Sequence, residues 1–183
     1  KIAQYFPNSE IFKIFKSNKR ILLFLIKEKL IKITESIAQV FMDDKYQKKK
    51  YCHYFYPEIK SFLDQNLIQC IQKEIPDNFE EKRMLGENEN YICELIRNDK
   101  IDEFISYINQ HNISLQTGIS LSIFETNSFL FKKQMTNQKF SYMPFKNEIQ
   151  LIEYASFFGS IQIFKYLYKN GITLTSSLWP FAV

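Results

Sequence analysis

Glycine and proline are scarce in this chain, with 4 Gly and 5 Pro in 183 residues. So few chain-breaking residues leave little room for the many tight turns of an all-β fold. Gly86, Gly118, Gly159 and Gly171 stand apart from one another, which excludes both a phosphate-cradling glycine loop and a dinucleotide fingerprint. Cysteine is limited to Cys52, Cys70 and Cys93, and histidine to His53 and His111. No two of these show the close paired spacing of a zinc site, and an odd number of cysteines makes no disulfide framework. The thiols read as free, buried groups in a reducing cytoplasm, where the chain is placed. The apolar run Ile21–Ile26 is six residues long between Arg20 and Lys27, far short of the ~20 that cross a membrane. No signal peptide is visible, and no membrane partner is expected. The neighbouring carboxylates Asp102-Glu103 and Glu80-Glu81 point roughly 100° apart on a helix and form no ready acid/base pair. No catalytic residue, cofactor or metal ligand is assigned, and the chain reads as non-enzymatic.

What is abundant is apolar and aromatic. Hydrophobic residues make up 45% of the chain, with 18 Phe and 11 Tyr, enough for a folded core. Persistent apolar–polar alternation is lacking, so the expected fold class is all-α. Over 10–75 the reading is of consecutive helices. Leu22, Ile26, Leu30, Ile33, Ile37 and Val40/Phe41 step by three and four as one amphipathic stripe. Asp43-Asp44 suits the start of the next helix. That helix carries Lys45, Lys48, Lys49 and Lys50 with Tyr51, Tyr54 and Phe55, and should stop near Pro57. Glu58 to Lys73 reads as a further helix, with Ile59, Phe62, Leu63, Leu67, Ile68 and Ile71 inward. Ile75-Pro76-Asp77-Asn78 is a breaker, dividing an N-terminal helical region, 1–75, from the remainder, 76–183. Asn78 and Glu81 are spaced as an N-cap and its N3 acid.

Charge divides along the same line. Residues 1–75 hold 14 basic and 8 acidic residues, net +6, and residues 76–183 hold 10 and 12, net −2. A basic front favours an acidic partner. Lys48, Lys49 and Lys50, interleaved with Tyr46, Tyr51 and Tyr54, could meet an acidic polymer surface such as tubulin. They could also meet nucleic acid through phosphate contacts and stacking, the less favoured partner; a charge run alone is weak evidence for either. The competing reading is a solvated helix face with its aromatics turned inward.

Residues 150–174, QLIEYASFFGSIQIFKYLYKNGITL, form one helix–turn–helix unit with a glycine at each joint. Ile152 and Ala155 give a short first helix an apolar side. Gly159 occupies the turn, where a left-handed backbone is cheap. Ile161, Phe164 and Leu167 (or Tyr168) recur as one face of a second helix, and Gly171 fits its left-handed stop. Neither helix is long enough to stand alone. Residues 91–113 repeat the unit at an offset of 60, with Ile92 on Ile152, Leu95 on Ala155, Asp99 on Gly159, Ile101 on Ile161, Phe104 on Phe164 and His111 on Gly171.

On these residues the chain resembles the ankyrin repeat, T-P-L-H-x-A-A-x-x-G-H-x-x-I-V-x-x-L-L-x-x-G-A-D. Ile152, Ala155, Ser156, Gly159, Ile163, Phe164, Leu167 and Gly171 fall on its conserved places. Gln150-Leu151, Glu153 and Ile172-Thr173 depart from it. The resemblance implies a helical array, or solenoid, preceded by a divergent helical region. Since 60 is near twice the family period of about 33, a degenerate repeat is expected between the copies, at 120–133. Ala182 looks like the start of another repeat. With Lys1 in place of Met, this suggests a fragment of a longer array. The segments FEEKR, GENE and ETNSFL make 79–183 similar to degenerate ankyrin-like proteins expanded in parasitic protists.

The resemblance implies a protein-interaction or scaffold module. In that family the positions of Phe157 and Phe158 face a ligand-binding concave surface. Thr173, Thr175 and Ser176 occupy the connecting finger and form a weaker contact set. The bland alternative for the two phenylalanines is packing against the adjacent unit.

Overall fold

The computed structural model describes residues 6–43, 48–127, 129–130, 149–174 and 178. It is mostly helical: α1 (Asn8–Phe15), α2 (Lys19–Lys27), α3 (Glu35–Asp43), α4 (Lys48–Tyr54), α5 (Tyr56–Ile59), α6 (Gln65–Glu74), α7 (Phe79–Leu85), α8 (Tyr91–Arg97), α9 (Ile101–Gln110), α10 (Leu151–Phe158) and α11 (Ile161–Lys169). Among the described residues, strand is confined to β1 (Gly118–Ile119) and β2 (Ile149–Gln150), an antiparallel pair with Gly118 opposite Gln150. No helix among the described residues is long and apolar enough to cross a membrane.

The chain folds into two compact units, Lys1–Glu87 with Ser122–Ser128, and Asn88–Leu121 with Phe129–Val183. The first of these chain boundaries lies at 87/88. The Arg83 guanidinium binds Glu58 Oε2 and Oε1 at 2.7 and 2.9 Å and the Tyr54 carbonyl at 3.1 Å, holding α7 to α4 and α5.

In the first unit, Leu22, Ile31, Phe41, Tyr54, Phe55, Ile59 and Ile71 form a fully enclosed core. Phe41 and Phe55 stack at 4.7 Å. The stripe from Leu22 to Phe41 is divided between two helices. Helix α2 stops at Lys27, Lys29 takes φ 58°, and α3 restarts at Glu35. Asn8 holds the break, donating to the Lys32 carbonyl and accepting from its N–H, both at 2.9 Å. Helix α4 stops at Tyr54, close to Pro57 as expected, and Pro57 sits in the first turn of α5, where its missing N–H costs nothing. The expected helix from Glu58 to Lys73 is broken at Leu63, which is extended, and restarts where the Asp64 carboxylate accepts from the Leu67 N–H at 2.8 Å. Asn78 precedes α7 without a side-chain cap. Of the expected cap Asp43-Asp44, Asp43 is the last residue of α3 and Asp44 lies outside the described residues.

A segment distant in sequence completes this unit. Lys19 is 1% exposed, with Nζ 5.4 and 5.0 Å from the Tyr51 and Tyr54 ring centroids. It donates to the carbonyls of Ile123 (2.7 Å) and Glu125 (3.4 Å). A buried ammonium is tolerated only with such partners.

Candidate functional site

Among its described residues the second unit contains two helical hairpins whose joints are set by backbone conformation. Asp99 (φ 50°) joins α8 to α9, and Gly159 (φ 68°) joins α10 to α11. Asp99 and Gly159 are the two positions matched at an offset of 60, and aspartate is among the few residues that tolerate this conformation. The far joints are Asn112 (φ 50°) and Gly171 (φ 88°), an offset of 59. Asn112 thus replaces the expected His111 (φ −100°), because α9 runs one residue longer than α11. The buried pairs Phe104/Ile108 and Ile163/Leu167 show the same slip.

Helix α8 packs on α10 and α9 on α11. Asp99 fastens the two hairpins: its carboxylate accepts from the N–H groups of Gln162 and Ile163, each at 3.0 Å, at the otherwise unsatisfied start of α11. Ser160 Oγ donates to the Ile96 carbonyl. Arg97 donates to the Asn88 carbonyl (2.9 Å) and the Tyr154 hydroxyl (3.1 Å). Of the 120–133 candidate, residues 120–127 carry no helix, 129–130 are helical, and 128 and 131–133 lie outside the described residues.

Phe157 and Phe158 end α10, both half-buried against the core. Phe157 stacks on Phe129 at 5.8 Å with planes 9° apart, and Phe158 lies 4.7 Å from Tyr154. Their own rings meet edge to face at 4.9 Å. Each is therefore a packing residue with one face toward the surface. Thr173 is exposed, while Thr175 and Ser176 lie outside the described residues. Lys48, Lys49 and Lys50 open α4, and their side chains are not among those described; Lys45 also lies outside the described residues.

Cysteine and histidine are dispersed. Cys52 and Cys93 are buried, whereas Cys70 is exposed, contrary to the expectation that all three are buried. His53 Nε2 lies 2.8 Å from Glu74 Oε2, and His111 Nδ1 lies 2.9 Å from the Tyr107 carbonyl.

One cleft escaped the sequence reading. It is a shallow, open depression of about 320 Å³ lined by Tyr91, Asp102, Glu103, Ser106, Tyr107 and Gln110. The tyrosine rings meet edge to face at 5.1 Å, and the Tyr91 hydroxyl donates to Glu103 Oε2 at 3.3 Å. Its surroundings and the Glu103 carboxylate hold the Tyr91 phenol above its ordinary range. The i, i+4 spacing of Asp102, Ser106 and Gln110 was legible as an exposed helix face; the opposing Tyr91 was not.

Compared with protein-family models, curated proteins and solved structures, the chain matches none.

Proposed function

We propose that this chain is a non-enzymatic protein-interaction or scaffold module of ankyrin-like helical repeats, engaging a protein partner through the surface of its stacked hairpins. The observation that carries the reading is the packing of α8 on α10 and α9 on α11, with left-handed joints at Asp99 and Gly159. Units of two short helices that bury their apolar faces on one another are the building principle of repeat proteins, which bind through extended surfaces. Phe157 and Phe158 are the anchors we assign, because partly exposed aromatic rings braced by a core supply contact area at little entropic cost.

The test is capture of a protein partner by the full chain and reconstitution from purified components. Phe157→Ala with Phe158→Ala should weaken the complex at least about tenfold while circular dichroism stays helical. Unchanged affinity would remove the phenylalanines from the interface. Failure of any purified protein to bind would remove the reading itself.

A further inference from the structure

The cleft at Tyr91 and Tyr107 lies where α8 meets α9, on the exposed side of that hairpin. Tyr91 is 44% exposed, and Asp102, Glu103, Ser106 and Gln110 are exposed along one side of α9. We propose that it receives an arginine or lysine side chain presented by a protein partner. This rests on the reading of the chain as a protein-binding module and names the chemistry of one contact.

Three features converge on a cation. The first is the aromatic wall. Tyr107 is engaged by Tyr91 at 5.1 Å and by the His111 ring at 4.2 Å, while Tyr91 is 44% exposed and lines the cleft, and a guanidinium or ammonium over a tyrosine ring is attracted by the ring quadrupole. The second is an unused charge. Glu103 is engaged by the Tyr91 hydroxyl and by Lys100 at 3.3 Å, whereas among the described residues the Asp102 carboxylate has no hydrogen-bond or ion-pair partner. The third is the donor set. The Ser106 hydroxyl already donates to the Asp102 carbonyl at 2.9 Å, which leaves its oxygen as an acceptor beside the carboxylates. A planar guanidinium with five N–H donors matches acceptors arranged along a helix face and can lie against the rings at the same time.

The sign of the charge selects among partners. Asp102 and Glu103 line the cleft, Glu94 and Lys100 act on Tyr91 through their charge, and the chain from residue 76 onward is net −2. A nucleic-acid or phospholipid phosphate would be repelled, whereas a basic segment of a protein is attracted.

The probe is the pentapeptide acetyl-Gly-Gly-Arg-Gly-Gly-amide, titrated into the full chain with its tyrosine rings isotope-labelled for NMR. The comparison peptide carries citrulline, which has the same shape without the charge. The Tyr91 and Tyr107 ring resonances should move on addition of the arginine peptide. Affinity should be about fivefold lower for citrulline and about fivefold lower for the Asp102→Asn/Glu103→Gln variant, with helical content unchanged. Equal affinity for citrulline, equal affinity of the variant, or no movement of the two tyrosines at saturating peptide would each overturn the assignment. Failure of the broader interaction reading is measured separately, by reconstitution with the captured partner, which does not require the cleft.

Discussion

Arg83 and Glu58 form a two-point ion pair, at 2.7 and 2.9 Å, with the guanidinium side chain only 2% exposed. Burial alone would lower the Arg83 pKa, but the hydrogen bond and charge of Glu58, aided by Glu80, more than offset it and hold the group above its ordinary value. Removing one partner of such a pair strands the other. Arg83→Ala should cost about 3–5 kcal/mol of unfolding free energy, and the Arg83→Met/Glu58→Met double variant should recover much of that loss. Chemical denaturation measures both. A single variant as stable as wild type would show that the pair does not hold α7 in place.

The Tyr54 phenol, fully buried beside this pair, is pushed up to about 12, chiefly by burial. Its folded value exceeds the ordinary one of about 10, so above pH 10 the folded state retains a proton that the unfolded chain has lost. Stability from this group is complete below about pH 10 and declines as pH rises toward 12, by on the order of 2 kcal/mol. Tyr54→Phe should flatten that alkaline decline relative to wild type. Parallel curves between pH 9 and 12 would count against the assignment.

Gly86 and Gly159 share a left-handed backbone but not the space around it. A Cβ on Gly86 (φ 72°) would sit 2.9 Å from Thr126 Oγ1, whereas one on Gly159 (φ 68°) would meet nothing within 4 Å. Thr126 also donates twice to the Gly86 carbonyl, from its N–H at 3.1 Å and its hydroxyl at 2.9 Å. Gly159→Ala should therefore cost about 1 kcal/mol, the backbone term alone, and Gly86→Ala at least about 1 kcal/mol more. Equal costs in thermal unfolding would show that the Thr126 contact is slack.

Asp99 combines a strained backbone with a cap on the following hairpin. Asp99→Ala keeps the strain and loses both bonds to α11, for about 2 kcal/mol. Asp99→Gly relieves the strain and should cost distinctly less. A ranking with glycine worse than alanine would show that the cap is not what Asp99 contributes.

Several of these features were legible in the sequence, and they are the local ones. Gly159 and Gly171 announced their joints because only glycine takes that backbone freely, and the match of Asp99 to Gly159 located a third. Lys29 and Asn112 adopt left-handed backbone without glycine, so the breaks they make left no comparable mark. The Leu22–Phe41 stripe continued across one of them because both helices face the same core. No periodicity or spacing sets Arg83 or Lys19 apart from the other basic residues of the chain. Their partners lie 25 residues away or more than 100, and periodicity carries no trace of contacts at such separations. The Tyr91–Tyr107 cleft was hidden for the same reason, since it needs two helices to be placed before its wall exists.

The central claim is that the stacked hairpins form the partner-binding surface. Amide hydrogen exchange on the reconstituted complex, compared with the free chain, tests it most directly. The account predicts that slowed exchange on binding concentrates in α8 to α11, including the last turn of α10 around Phe157 and Phe158. Protection confined to α1–α6, with α8 to α11 unchanged, would contradict it.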